Sequence, residues 1–148
     1  MKNLLLIAAL SLFTVPGVHA QKTKVQDNDV PQAVMTAFDR QYPNTSDVNW
    51  KMKDGSYKAK FTMSGTKHLA EFNSAGTLTK TGVAIPKQDL PSVVTSAINR
   101  EYTSTNTGDI YRVQKDGQTH FLVEIDGRTG KTVIYDEQGN VVREKQKR

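Results

Sequence analysis

Histidine and carboxylate side chains are the groups of this chain that could ligate a metal ion or move a proton. Beyond the first twenty residues the chain holds two histidines, His68 and His120, and it has no cysteine. Both histidines stand in stretches whose alternation predicts strands, whereas the metal-binding motif of metalloproteases requires a helix. We therefore expect exposed sheet histidines, no metal site, no disulfide and no cofactor.

Two glutamates in predicted strands, Glu71 and Glu124, could form an acid–base pair. Paired catalytic carboxylates stand about 5–10 Å apart in a pocket, whereas these two belong to distant stretches that also contain lysines. Gly130-Lys131-Thr132 resembles the end of a phosphate-binding loop, but Ile125 occupies the position of the first glycine of that motif. We predict solvated charges and a hairpin turn, and hence no catalytic residues and a protein that is not an enzyme.

The first twenty residues have the three parts of a secretory signal peptide. Lys2 supplies a positive charge, Leu4 to Val15 form an apolar run, and Val18-His19-Ala20 precedes an acceptable cleavage site. This run is too short to span a hydrocarbon core of about 30 Å. We predict cleavage after Ala20, a periplasmic or secreted protein, and no membrane insertion after the signal peptide is removed.

The chain carries 20 basic and 15 acidic residues, which gives a formal net charge of +5. Much of the basic excess lies near the termini, with Lys22 and Lys24 after the predicted cleavage site and REKQKR over residues 143–148. A nucleic-acid-binding protein would concentrate its basic residues on one folded face. We expect no nucleic-acid partner, a flexible N-terminal tail over residues 21–28 and a basic C-terminal tail.

The helices and strands that must position the histidines and glutamates are predicted from an internal repeat in the sequence. Residues 29–42 read DVPQAVMTAFDRQY, and residues 89–102 read DLPSVVTSAINREY. Each stretch has the apolar spacing of an amphipathic helix after an early proline, and Asp29 could cap the first helix. Lys53-Asp54-Gly55 recurs as Lys115-Asp116-Gly117, and Asp-Gly between alternating stretches predicts a tight hairpin.

Each helix is followed by four stretches that alternate apolar and polar residues, as strands with one buried face do. The predicted strands cover residues 47–53, 56–64, 67–73 and 77–83, then 109–115, 118–126, 131–136 and 140–145. The predicted fold class is α+β: two tandem repeats of one helix plus a four-stranded antiparallel meander, with both helices on one face of the sheet. The predicted divisions are a signal peptide (1–20), a tail (21–28), repeat 1 (29–86) and repeat 2 with the basic tail (87–148).

The face of the sheet away from the helices is the predicted binding surface. The alternation assigns the following residues to it as candidates for contact with a partner: Lys51, Lys58, Lys60, Leu69, Glu71, His120, Leu122, Glu124 and Ile134. In the first half this face is basic, and in the second half Leu122 and Ile134 place apolar groups where a solvated sheet prefers polar ones. Trp50 alternates in phase with Val48, which predicts that it lies in the core.

The duplicated order of these motifs resembles the PepSY-like family, which is also described as β-lactamase-inhibitor-protein-like. The shared pattern is Pro-x-x-Val-x-x-Ala-Phe/Ile-x-x-x-Tyr, a strand, Lys-Asp-Gly, further strands and Asn/Asp-x-x-Gly, and it covers about residues 28–146. The family is common as small periplasmic proteins of Bacteroidetes, and the resemblance implies a tandem helix-plus-four-strand fold. The inhibitor that gave the family its name grips its target enzyme with the open face of the sheet.

The resemblance implies a non-enzymatic module that binds a protein or peptide partner in the periplasm through the open sheet face. Such a module could inhibit or regulate an exported enzyme. Two alternatives are kept: a binder of a small ligand or of an acidic cell-envelope polymer, and a hydrolase with dispersed acidic residues. The sequence predicts neither the identity of the partner nor the oligomeric state.

Overall fold

The structure, a computed structural model, describes residues 23–24, 26, 29–102, 106–126 and 130–146. The predicted signal peptide and its cleavage site lie outside these residues. Within the part that is described, neither helix is long and apolar enough to cross a membrane.

Two α-helices are described, α1 (Gln32–Gln41) and α2 (Ser92–Glu101), and a short 3-10 turn precedes α2. Each α-helix follows a proline at the cap position, Pro31 with φ of −54° and Pro91 with φ of −55°, and neither cap makes a side-chain hydrogen bond. The prediction that Asp29 caps α1 is therefore wrong, because Pro31 occupies the cap position and Asp29 lies two residues before it. Proline suits a helix start because its fixed φ is close to the helical value.

Nine strands form one sheet. They are β1 (Thr23–Lys24), β2 (Ser46–Lys53), β3 (Ser56–Met63), β4 (Thr66–Asn73), β5 (Leu78–Ala84), β6 (Asn106–Lys115), β7 (Gln118–Asp126), β8 (Lys131–Asp136) and β9 (Val141–Gln146). Their order in the sheet follows their order in the chain, and every neighbouring pair is antiparallel. The bounds of β2 to β9 lie within one residue of the predicted bounds, except that β6 begins at Asn106 instead of residue 109.

The short strand β1 is an element that the sequence did not predict. Thr23 pairs with Met52 and Lys24 with Lys51, so these two residues of the predicted tail extend the sheet beyond β2. A pairing of two residues is too short to produce a readable alternation. The sheet consequently has nine strands where up to eight were expected.

Each helix packs on its own cluster of buried apolar side chains. The cluster under α1 comprises Val30, Val34, Phe38, Trp50, Ala59, Phe61, Ala70 and Phe72. The cluster under α2 comprises Leu90, Val94, Ala97, Ile98, Ile110, Phe121, Val123, Ile125, Val133 and Tyr135. Trp50 is 1% exposed and its ring meets the ring of Phe38 at 5.1 Å, which confirms the prediction that it lies in the core.

The strand register places both clusters on the same face of the sheet, because residues paired across neighbouring strands share a face. Ala70, in the cluster under α1, pairs with Thr81, and Thr81 pairs with Gln114. Gln114 pairs with Thr119, which by alternation shares its face with Phe121 of the cluster under α2. Both helices therefore cover one face, and no described helix covers the other.

Two glycines let the sheet approach the helices closely. An added Cβ at Gly76 would lie 2.5 Å from the carbonyl oxygen of Ala33 in α1, and one at Gly139 would lie 2.8 Å from that of Val93 in α2. Both glycines also have φ above +80°, in the left-handed region. A side chain at either position would collide with the helix backbone.

Candidate functional site

The face opposite the helices carries all nine residues that the alternation assigned to it. By the cross-strand register these are Lys51, Lys58, Lys60, Leu69, Glu71, His120, Leu122, Glu124 and Ile134. A row of apolar side chains crosses the second half of this face, where Tyr111 pairs with Leu122 and Leu122 with Ile134. The contribution of these residues to binding stays a prediction.

One ion pair demonstrates that this face is concave. Lys60 lies on β3 and Glu124 on β7, four strands further along the sheet, yet Lys60 Nζ is 3.0 Å from Glu124 Oε1. In a flat sheet with strands about 4.8 Å apart, the two backbones would stand about 19 Å apart. A lysine and a glutamate side chain together reach only about 11 Å with ordinary bond lengths. The sheet must therefore curl toward these side chains, and we call this surface the concave face.

At the centre of the concave face, strand β6 buries apolar side chains on the side away from the helices and exposes polar side chains on the helix side. Tyr111 and Val113 lie on the concave face and are only 1% and 4% exposed. Arg112 and Gln114 lie on the helix side and are exposed. On the helix side, this part of β6 lies between the two helix clusters and is covered by neither. On the concave face, the curl of the sheet encloses the same part of the strand.

Tyr111 and Val113 were not predicted to be members of this surface. Their alternation with Arg112 and Gln114 is a readable signal of one buried face. That signal carries no information about which face of the sheet is buried, so it could not distinguish the concave face from the face under the helices. The long-range register was needed to assign them to the concave face.

The lysines in the first half of the concave face are matched by carboxylates. Glu71 Oε2 lies 3.2 Å from Lys58 Nζ and 3.1 Å from Lys80 Nζ. Burial by itself would raise the pKa of Glu71, but the charges and hydrogen bonds of the two lysines together hold it below its usual value. Glu71 is therefore ionised at neutral pH, and much of the positive charge predicted for this half is neutralised.

A second ion pair joins the two halves of the sheet beside Tyr111. Lys67 Nζ on β4 lies 2.9 Å from Asp109 Oδ2 on β6, and the hydrogen bond from Lys67 is the main cause of a lowered pKa of Asp109. The Tyr111 hydroxyl is 3.4 Å from the same oxygen, and Lys60 Nζ lies 5.2 Å from the Tyr111 ring centroid. Burial raises the pKa of Tyr111, so its hydroxyl remains a hydrogen-bond donor.

A cavity of about 240 Å³ opens next to these ion pairs. Its lining residues are Asp47, Asn49, Lys60, Phe61, Thr62, Lys67, His68, Asp109 and Tyr111, and the two glutamates considered for catalysis are not among them. Sites for small molecules commonly measure about 300–1,000 Å³, so this cavity is smaller than usual. Among the described residues, no group of three or more His, Cys, Asp or Glu side chains could hold a metal ion.

The two histidines are half-buried, so the prediction that they are exposed is wrong. His68 lies on the helix side, where its ring stacks on that of Phe61 with centroids 5.5 Å and planes 14° apart. His120 lies on the concave face between Val113 and Asp136 of the neighbouring strands. Because the two imidazoles are on opposite faces of the sheet, they cannot act on the same bound group.

A family model described as "Putative beta-lactamase-inhibitor-like, PepSY-like" matches residues 17–62 and 55–143. No sequence among the curated proteins matches the chain.

Several solved structures from Bacteroides species resemble this fold. A protein described as periplasmic from Bacteroides eggerthii has a TM-score of 0.65 at 18% identity, over 79% of this chain and 88% of that chain. A DUF2874 family protein from Bacteroides uniformis has a TM-score of 0.63 at 21% identity, over 78% and 88%. A BLIP-like protein from Bacteroides fragilis has a TM-score of 0.56 at 22% identity, over 78% and 86%. At these identities the likeness is one of fold alone.

Proposed function

The chain belongs to the PepSY-like family of β-lactamase-inhibitor-like proteins, and on this premise we propose that it is a non-enzymatic binding module. Its concave face would hold a protein or peptide partner in the periplasm. Inhibition or regulation of an exported enzyme is the specific form of this proposal. The name of the family and of the BLIP-like neighbour from Bacteroides fragilis supports that form.

The observation that carries the proposal is the apolar character of a sheet face that no described helix covers. Tyr111 and Val113 are buried there, and Leu69, Leu122 and Ile134 are half-buried. Apolar groups on the uncovered side of a sheet are typical of interaction surfaces. A partner that enters the concavity would complete the burial of these three half-buried side chains.

The ion pairs around these apolar groups give the surface a mixed charge. Glu71 stands between two lysines, and Lys60 and Lys67 each hold a carboxylate across the concavity. An apolar centre within a polar surround is the usual arrangement of a protein–protein interface. Partially buried ion pairs contribute more to the choice of partner than to affinity.

The alternative of an acidic polymer as ligand has less support from these contacts. It requires lysines that are available to phosphate or carboxylate groups, and Lys58, Lys60 and Lys67 already bind carboxylates of the chain. The hydrolase alternative requires a proton donor, whereas both lysines that contact Glu71 keep it ionised. The small cavity lacks both Glu71 and Glu124.

We further infer that the two helix-plus-strand units are copies of one repeat. In the turn after β4, Asn73 Oδ1 accepts a hydrogen bond from the Thr77 N–H at 2.9 Å, and after β8 Asp136 Oδ1 accepts one from the Asn140 N–H at 2.8 Å. Equivalent turns that use different side chains in the same way support a duplication followed by divergence. A periplasmic location is proposed from the signal peptide that the sequence predicts and from the periplasmic description of the neighbour from Bacteroides eggerthii.

The proposal is tested by capture of the partner from periplasmic extract on immobilised protein. The double variant Leu122→Asp/Ile134→Asp places two charges in the apolar row, and we expect it to lose the partner that the unmodified protein retains. Val93→Asp is the control, because Val93 is 49% exposed on α2 and lies away from the concave face. Thermal unfolding of each variant establishes that it is folded.

Recovery of the same partner in equal amount by the double variant and by the unmodified protein would remove the concave face from the proposal. Loss of the partner by Val93→Asp as well would mean that the helix side takes part in binding.

A further inference from the structure

The cavity beside Lys60 and Tyr111 has the size of a single side chain. Its volume of about 240 Å³ is below the range of about 300–1,000 Å³ that is usual for small-molecule sites. By the strand register, Lys60 and Tyr111 lie on the concave face. A partner held on that face would therefore place at most one large side chain in the cavity, and the polar groups of the lining determine which kind fits.

Two aspartates of the lining, Asp47 and Asp109, occupy equivalent positions in the two halves of the chain. They are separated by the same number of residues as Lys53 and Lys115 of the repeated Lys-Asp-Gly turns. Each aspartate lies within an irregularity of the strand register, one in β2 and the other in β6. Such irregularities change the direction of a side chain. The curl of the sheet brings the two aspartates to one cavity, although their strands are four positions apart in the sheet.

The two equivalent aspartates differ in what they bind. Lys67 Nζ lies 2.9 Å from each carboxylate oxygen of Asp109. The carboxylate of Asp47 accepts a hydrogen bond from the Ser46 hydroxyl at 3.1 Å, and it forms no ion pair with any residue that the structure describes. A carboxylate can accept about four hydrogen bonds. Asp109 therefore has a bound ammonium group in this cavity, whereas the equivalent position beside Asp47 is available.

The two lysines of the lining do not supply a cation for Asp47. Lys60 Nζ is held by Glu124 at 3.0 Å, and Lys67 Nζ is held by Asp109. Each lysine thus has a carboxylate of its own, and the charge that remains unbalanced in the lining is the negative charge of Asp47. An anionic occupant would have to displace a carboxylate from a lysine, whereas a cationic occupant would complete a further ion pair.

Neutral acceptors beside Asp47 favour a guanidinium group over an ammonium group. The Asn49 amide and the Thr62 hydroxyl line the same cavity, and neither side chain has a hydrogen-bond partner in the described part of the chain. A guanidinium group carries five N–H donors in a planar fork that matches both oxygens of a carboxylate. The donors that do not contact the carboxylate remain available to the neutral oxygens. An ammonium group is a compact charge without this bidentate geometry.

From the unbalanced carboxylate and the size of the cavity we propose that the cavity is a subsite for an arginine side chain of the partner. Asp47 would accept two N–H groups of the guanidinium, and Asn49 and Thr62 would accept the others. The ion pair of Lys67 with Asp109 is the same arrangement completed within the chain. This inference rests on the proposed function only where it assigns the arginine to a partner on the concave face.

A peptide with blocked ends and the sequence Gly-Ser-Arg-Ser-Gly is the probe. Its binding to the full mature protein is measured by amide chemical-shift changes, which we expect to concentrate on Asn49, Thr62 and Tyr111. The matched peptide with citrulline in place of arginine keeps the shape but lacks the charge, and it should bind about fivefold more weakly. Added salt should weaken binding of the arginine peptide.

Asp47→Asn should weaken binding of the arginine peptide by about fivefold, because it removes the unbalanced charge. Asparagine tolerates the positive φ of Asp47, so the variant is expected to fold. Asp54→Asn is the matched control: Asp54 also has positive φ, is exposed, and does not line the cavity. It should leave binding unchanged.

The proposal is overturned if the arginine peptide does not bind or shifts residues away from the cavity. Equal binding of the citrulline peptide, or equal binding by Asp47→Asn, would overturn it as well. Capture of the partner separates this inference from the proposed function. If the Leu122→Asp/Ile134→Asp variant loses the partner while Asp47→Asn retains it in full, the concave face binds the partner and the arginine subsite is wrong. If the arginine peptide binds in the cavity and the Leu122→Asp/Ile134→Asp variant retains the partner, the cavity binds arginine and the concave-face proposal is wrong.

Discussion

Two buried tyrosines on opposite faces of the sheet have hydroxyl groups in different surroundings. Tyr135 lies in the cluster under α2, and among the described residues its hydroxyl has no hydrogen-bond partner. Tyr111 lies on the concave face with its hydroxyl 3.4 Å from Asp109 Oδ2. Burial raises the pKa of both hydroxyls, so each stays protonated at neutral pH. Only Tyr111 has a partner for that proton.

This difference predicts opposite effects of the same substitution. Tyr135→Phe should raise the free energy of unfolding by about 1 kcal/mol, because it removes a buried hydroxyl that no hydrogen bond compensates. Tyr111→Phe, its matched control, should give no gain, because it also removes a contact with Asp109. Urea unfolding of both variants measures the two changes. A loss of stability in Tyr135→Phe would show that its hydroxyl has a partner in solution.

At the scale of single elements, strand β6 shows where prediction from sequence stops. Alternation located the strands, and it placed Trp50 correctly because the buried face of β2 is the one that α1 covers, in a cluster that β3 and β4 complete. In β6 the same alternation marks Tyr111 and Val113 as buried, but the strand register places them on the face away from the helices. A local pattern reports that one side of a strand is buried, whereas the identity of that side depends on residues that are distant in sequence. The two side chains were missed for this reason.

The turns that contain Gly76 and Gly139 contact α1 and α2, so substitutions there test how tightly each helix packs on the sheet. Gly76→Ala and Gly139→Ala should each lower the free energy of unfolding by about 3 kcal/mol, since each adds both a left-handed backbone cost and a collision with a helix carbonyl. Gly55→Ala is the control: it also has positive φ, but an added Cβ there meets nothing within 4 Å. Its expected loss is about 1 kcal/mol.

The measurement is urea unfolding followed by the fluorescence of Trp50, the only tryptophan in the chain. Similar losses for Gly55→Ala and Gly76→Ala would mean that the turn can move away from α1 at little cost.

At the scale of the whole molecule, the decisive property is the curl of the sheet. It brings Lys60 to Glu124, two residues that are 64 positions apart in the chain and four strands apart in the sheet. The alternation predicted the face on which Lys60 and Glu124 lie. The expected shape of that face, however, was broad and open instead of concave. Curl results from the twist and register of many strands together, so no short segment of sequence determines it. The ion pairs across the concavity could therefore not be predicted.

The curl predicts an energetic coupling between two residues that a flat sheet would hold far apart. A double-mutant cycle with Lys60→Met and Glu124→Gln should give a coupling of about 0.5–1 kcal/mol, the range for partly exposed ion pairs. The coupling should fall as salt is added. The exposed neighbours Lys115 and Asp116, 3.3 Å apart, serve as the control pair and should couple more weakly. Absence of coupling between Lys60 and Glu124 would mean that the sheet is flatter in solution.

The chain enters the sheet at β1 and leaves it at β9, which are its two outermost strands. Tension applied between the two ends would consequently load the inter-strand hydrogen bonds one after another, so that the strands peel away from the edges instead of shearing as a block. We expect stepwise yielding at low force in an optical trap, with the outer strands lost before either helix-covered cluster opens. A single abrupt rupture at high force would contradict this. A protein built in this way is stabilised by its two cores but offers little resistance to being pulled by its ends.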